Sequence, residues 1–68
     1  MNIIKEKRKN KKLTQAELAK KMGVSQPVIN YWEIGRQKPL PKNIKKLKEI
    51  FNLTEKEILI LIGVSDEE

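Results

Sequence analysis

The sequence of 68 residues contains no cysteine and no histidine. Without cysteine the chain can form neither a disulfide nor a thiolate metal site, which fits a reducing cytoplasm. The two absences also remove the side chains that most often serve as nucleophile, general base or zinc ligand. No pair of carboxylates is expected in a plausible cleft. We therefore expect no enzymatic activity, no metal site and no cofactor.

Long apolar runs are also missing. The longest covers residues 58–62, whereas a membrane-spanning helix needs about 20 apolar residues. The N-terminal residues are charged and lack the apolar stretch of a signal peptide. We expect a cytoplasmic protein, and a chain of this length builds one small domain with one core.

Positive charge dominates, and it is unevenly distributed. Residues 1–53 contain fourteen basic and four acidic residues, a net charge of +10, whereas residues 54–68 contain one and five, a net charge of −4. A basic body with an acidic end suggests that one surface meets a polyanion such as nucleic acid. Charge alone leaves two alternatives open. The lysines could serve only solubility, or they could bind an anionic membrane, although no segment pairs a basic face with a wide apolar one.

Residues 14–35 have the pattern of two short helices joined by a tight turn. Thr14 and Glu17 have the spacing of a capping box, in which each side chain bonds the backbone N–H of the other residue. Gly23 stands where a left-handed residue ends the first helix, and Ser25 begins the second as its N-cap. Because only three residues separate them, the two helices must cross steeply, which is helix-turn-helix geometry.

The remainder of the chain predicts three more helices, for a total of five and no strand. Two prolines in the loop 36–41 prevent the third helix from continuing and prepare the start of the fourth. Thr54 and Glu57 repeat the capping-box spacing before the fifth. These three helices are placed at residues 3–9, 42–51 and 55–62; residues 1–65 are assigned to one all-α domain, a compact five-helix bundle, and residues 66–68 to an acidic tail.

The chain resembles the phage-repressor (Cro/cI, XRE-type) helix-turn-helix family. The resemblance rests on Leu-Thr-Gln-x-x-Leu-Ala at residues 13–19, Trp-Glu-x-Gly at residues 32–35, Gly23 in the turn and the later Pro39. It extends over about residues 3–62. It implies a repressor-like bundle that binds specific double-stranded DNA as a transcriptional regulator, of repressor type and encoded by a bacterium or a phage.

Base contacts are expected from the third helix, the second of the motif. Gln26 lies in its first turn, the end that such helices insert into the major groove, and its amide can donate and accept at once, as adenine N6 and N7 require. Pro27 cannot donate and is expected to touch a thymine methyl group. The family places base contacts at the positions of Gln26, Pro27 and Tyr31, with Asn30 beside them. The alternative for Gln26 and Asn30 is ordinary polar helix surface.

Phosphate contacts are expected on both sides of that helix. Gln15 opens the second helix, where N–H groups and the positive end of the helix dipole suit an anion. The family has a glutamine here that binds phosphate and braces the base-reading glutamine. Arg36, Lys38 and Lys42 flank the other end of the third helix and would hold the DNA backbone there. All four could instead be solvated surface residues.

Two residues of the third helix are expected to serve the scaffold. Glu33 lies toward the buried side, where an unpaired carboxylate is costly. The family pairs this position with a basic residue of the first helix, and Arg8 stands at the matching place. Trp32 shares a face with Ile29, which favours a half-buried core residue over a platform for base stacking.

The fifth helix contains five consecutive large apolar residues, more than one side of a helix can bury in a small domain. Leu59 or Ile60 together with Ile62 could form a twofold dimer interface. The dimer would set two copies of the third helix ~34 Å apart on a palindromic site. The alternative is that the whole run fills the core. The same surface could also bind a partner protein, as in antitoxins of this family, which autoregulate their operon.

Overall fold

The computed structural model describes residues 2–63. This part of the chain forms α1 (Ile3–Asn10), α2 (Gln15–Met22), α3 (Gln26–Glu33), α4 (Pro41–Phe51) and α5 (Glu55–Ile62). The five-helix, all-α prediction is thereby confirmed. α1 ends one residue later than expected, and α4 starts at Pro41 because proline suits the first position of a helix. The acidic tail predicted at residues 66–68 lies outside the described residues.

Capping boxes begin α2 and α5, as predicted. The Thr14 and Thr54 hydroxyls accept from the backbone N–H groups of Glu17 and Glu57 at 3.0 and 3.1 Å. The two glutamates return the bond by accepting from the threonine N–H groups at 2.8 and 2.9 Å. Both helices therefore start with their first-turn N–H groups partly satisfied.

The turn between α2 and α3 matches the prediction in its glycine but not in its serine. Gly23 has φ +73 and ends α2 in the left-handed conformation. Ser25 is the N-cap of α3 by position, but its side chain makes no capping hydrogen bond. The reason is local. Pro27 has no N–H to donate, and the Val28 N–H is already bonded to the Ser25 carbonyl at 3.1 Å.

The core lies where the five helices meet. Each helix contributes at least one buried apolar residue, and Trp32 is 3% exposed, so it is buried more completely than the sequence suggested. Burial of an indole of this size stabilises a small domain considerably. The largest fully buried side chains are Ile4, Leu18, Met22, Ile29 and Leu47.

α5 buries only part of its apolar run. Leu61 is buried, whereas Ile60 and Ile62 are 48% and 43% exposed. Ile58 and Leu59 are half-buried. The core therefore does not take up the whole run, which excludes that alternative for α5. None of the helices over residues 2–63 combines the length and the apolar character that crossing a membrane requires.

Candidate nucleic-acid interface

One side of α3 is packed into the core and the opposite side is accessible. Ile29 is fully buried. Gln26 and Pro27, in the first turn, are exposed, and Asn30 and Tyr31, one turn later, are half-buried. The four residues predicted to contact bases are thus brought together on one rigid surface strip, here called the α3 edge.

The Gln15 side chain binds within the protein. Its Nε2 donates to Glu33 Oε1 at 3.0 Å and to Asn30 Oδ1 at 3.3 Å. The bracing of Gln26 that the family resemblance implied is therefore directed at Asn30 instead. An amide nitrogen has two N–H groups, so a phosphate contact through Nε2 would have to replace one of these bonds, and the longer bond to Asn30 is the weaker one.

Arg8 and Glu33 form the ion pair between α1 and α3 that the family resemblance predicts. Arg8 Nε donates to Glu33 Oε2 at 2.6 Å, and Arg8 Nη2 donates to Glu33 Oε1 at 3.2 Å. The remaining Nη1 donates to the Leu13 carbonyl at 2.8 Å. The arginine therefore fixes both α3 and the residue before the α2 N-cap to α1.

The charge of Glu33 is maintained despite its burial. Burial by itself raises the pKa of Glu33, but the hydrogen bonds from Arg8 and Gln15 and the charges of Arg8 and Lys5 lower it by more. The net result is a pKa below the ordinary value of 4.5. At neutral pH Glu33 is a carboxylate that can only accept hydrogen bonds.

Arg36 is held against the end of the α3 edge. Gly35 has φ +80, which turns the chain back, and the Arg36 N–H then donates to the Tyr31 carbonyl at 2.9 Å. The guanidinium lies 5.3 Å from the centroid of the Tyr31 ring, within the range of a cation–π contact. Both residues are predicted site residues, but their stacking was not predicted. The signal for it is Gly35, because a helix that ends at a glycine brings residues five positions apart close together.

Both lysines predicted to contact phosphate line a groove beside the turn of the motif. Lys42 is exposed in the first turn of α4 and lines a groove next to Gly23, beside the turn of the motif. The Lys38 ammonium is directed at Gly63, the residue that ends α5. It lies so close that a Cβ atom at Gly63 would overlap the ammonium. A cation at the end of a helix is favourable because it meets the negative end of the dipole. Lys38 therefore lines the same groove as Lys42, but its ammonium lies at the end of α5.

The part of the chain that includes the helix-turn-helix is similar to known proteins. A family model described as helix-turn-helix matches residues 4–58, which include all of α2, α3 and α4. The ImmF control region 10 kDa protein of Bacillus phage phi105 is 39% identical over 51 residues, which cover 75% of this chain and 57% of the relative. The chain thus spans little more than half the length of that relative. Among solved structures, no significant match was found.

Proposed function

The chain belongs to the XRE-type (Cro/cI) helix-turn-helix family of DNA-binding transcriptional regulators, and on that basis we propose that it binds specific double-stranded DNA by inserting α3 into the major groove. The observation that carries the proposal is the α3 edge. Its side chains are accessible, while Ile29 on the opposite side is fully buried and fixes the orientation of the helix. A rigid helix with polar residues in its first turn suits major-groove recognition.

Gln26 is the principal base contact in this proposal. It is exposed in the first turn of α3, and its amide matches the acceptor and donor that adenine presents at N7 and N6. Pro27 next to it has no N–H and offers an apolar ring to a thymine methyl group.

Phosphate contacts come from the flanks of α3. We assign these contacts to Arg36, which is stacked on Tyr31, and to Lys42, which lines the groove beside the turn. The net charge of +10 over residues 1–53 adds a long-range attraction to the duplex. Each phosphate contact that replaces a condensed counterion steepens the salt dependence by about 0.9 units of logarithmic slope.

Repression is the regulatory outcome we propose. The relative from phage phi105 is named for a control region, which supports a role of this chain in controlling transcription. Occupancy of a promoter excludes polymerase without further chemistry, and the sequence offers no histidine or cysteine for catalysis.

A homodimer on a palindromic operator completes the proposal. Ile60 and Ile62 are about half exposed, and Leu59 is half-buried beside them. Pairing of this surface across a twofold axis would remove apolar area from water. Sedimentation at micromolar concentration, with and without DNA, tests it. A monomer under all conditions contradicts the dimer, and co-purification of a neighbouring gene product on this surface would favour the antitoxin alternative.

Selection of duplexes from a random pool tests the base contacts. The wild type is expected to enrich a motif of two half-sites, and Gln26→Ala is expected to lose preference at one position of each half-site, by about 1–3 kcal/mol. Glu49→Ala, an exposed change on α4, serves as the control and should keep the wild-type motif. If Gln26→Ala weakens binding to all sequences equally, Gln26 does not read a base.

A further inference from the structure

Four side chains form one continuous chain of hydrogen bonds that ends at the α3 edge. Arg8 donates to Glu33 at 2.6 and 3.2 Å. Gln15 donates to Glu33 at 3.0 Å and, through the same nitrogen, to Asn30 Oδ1 at 3.3 Å. This series of hydrogen bonds begins in α1, runs through α3 and α2, and returns to α3 at Asn30, a half-buried residue of the proposed DNA-binding surface.

The donor and the acceptor of every hydrogen bond in this series follow from the Arg8–Glu33 pair. Arg8 has only donors, and Glu33 as a carboxylate has only acceptors. Gln15 must therefore turn its NH₂ group, not its carbonyl oxygen, toward Glu33. The second N–H of that group requires an acceptor, so Asn30 must present its Oδ1 to Gln15. The amide of Asn30 cannot be reversed without placing two NH₂ groups against each other.

We propose that Asn30 contacts DNA as a hydrogen-bond donor only, and that Gln15 is the residue that imposes this polarity. The inference rests on the proposed function, because it concerns a base contact of the same α3 edge. With Oδ1 held by Gln15, the Nδ2 group of Asn30 is directed away from Gln15 and supplies two N–H donors.

A donor-only amide selects a different base from a freely rotating one. A free asparagine amide matches adenine, which presents an acceptor at N7 and a donor at N6. Guanine presents acceptors at both N7 and O6, and cytosine presents only a donor at N4. The locked Asn30 therefore favours guanine, which accepts at two atoms, over adenine and thymine, which accept at one, and it disfavours cytosine.

The test is a selection from random duplexes with three variants at the two positions. The base read by Asn30 is the position at which Asn30→Ala flattens the preference. There the wild type is expected to favour guanine over adenine by about tenfold. Gln15→Leu removes the NH₂ group that holds Oδ1, so the ratio of guanine to adenine should fall to about one or below.

Asn30→Asp separates polarity from shape. Aspartate is nearly isosteric with asparagine and can still accept from Gln15, but it offers an acceptor instead of donors to the base. The preferred base should shift from guanine toward cytosine, whose N4 is a donor. Thermal unfolding by circular dichroism verifies that each variant is folded at the temperature of the selection.

The possible results distinguish a failure of this inference from a failure of the proposed function. If the wild type enriches adenine at this position, if Gln15→Leu leaves the ratio unchanged, or if Asn30→Ala alters no position while Gln26→Ala does, the inference is wrong and the proposed function stands. If the wild type enriches no motif, the proposed function fails and the inference fails with it.

Discussion

Arg8 Nε lies 2.6 Å from Glu33 Oε2, and this bond ties α1 to the helix that carries the proposed DNA contacts. The two side chains are only 11% and 3% exposed. A second ion pair of α1, between Lys7 and Glu57 of α5, has a similar length of 2.8 Å but side chains that are 28% and 22% exposed. The two pairs differ in burial and also in their bonds, because Arg8 makes two hydrogen bonds to Glu33 and one to the Leu13 carbonyl.

Removal of one partner of the buried pair should destabilise the domain strongly. Arg8→Ala leaves the Glu33 carboxylate buried without its countercharge and should lower the free energy of unfolding by about 3 kcal/mol. Lys7→Ala, the control on the same helix, should cost much less because solvent screens its pair. Urea titration followed by Trp32 fluorescence measures both. Equal losses in the two variants would show that neither the burial of the Arg8–Glu33 pair nor the additional bonds of Arg8 matter for stability.

The stability supplied by Glu33 should disappear in acid. Because the folded-state pKa of Glu33 is below its ordinary value of 4.5, its contribution is complete above that pH and is lost as the pH falls through the folded-state pKa. The free energy of unfolding of the wild type minus that of Glu33→Gln should therefore shrink on acidification. Subtraction removes the parallel effect of Glu57, whose pKa is also lowered, chiefly by its hydrogen bond with Lys7. A difference that stays constant with pH would contradict this account.

Three N-cap residues should respond differently to the same substitution. Thr14→Ala and Thr54→Ala each remove a capping hydrogen bond and should cost about 1 kcal/mol, or about 4–8 °C in Tm for a domain of this size. Ser25→Ala removes no such bond and should change Tm much less. A loss at Ser25 as large as at the threonines would mean that its hydroxyl does cap α3.

Tyr31 should influence DNA binding partly through Arg36. If the stacked guanidinium contacts a phosphate, Arg36→Ala lowers the logarithmic salt slope of binding by about 0.9. Tyr31→Leu, which removes the ring face under Arg36, should lower the slope in the same direction, and Tyr31→Phe, which keeps the face, should not. Fluorescence anisotropy at several salt concentrations measures the slopes. An unchanged slope in Arg36→Ala removes Arg36 from the phosphate contacts.

The sequence was informative wherever a feature is determined by residues close together in the chain. The capping boxes at Thr14 and Thr54, and the left-handed ending at Gly23, are set by neighbours within a few positions, and the helices they delimit were predicted to within a residue. Ser25 was the exception, because the proline two positions later has no N–H and the Val28 N–H is bonded to the Ser25 carbonyl instead.

Features that depend on contacts between helices were not available from local patterns. The preference of Gln15 for Asn30 over Gln26 depends on how steeply α2 crosses α3. The position of the Lys38 ammonium at Gly63 depends on where α5 ends in space. Lys46 of α4 donates to the Met22 carbonyl at 3.2 Å and covers the end of α2. In each case the two residues lie far apart in the sequence.

The most direct test of the central claim, that the α3 edge meets DNA, is to follow backbone amide NMR shifts while a selected duplex is added. The largest changes are expected over residues 26–31, with further changes around Arg36 and Lys42. Small changes are expected over α5 if its state of assembly is the same with and without DNA. Changes concentrated in α1 or α5, with residues 26–31 unaffected, would contradict the account.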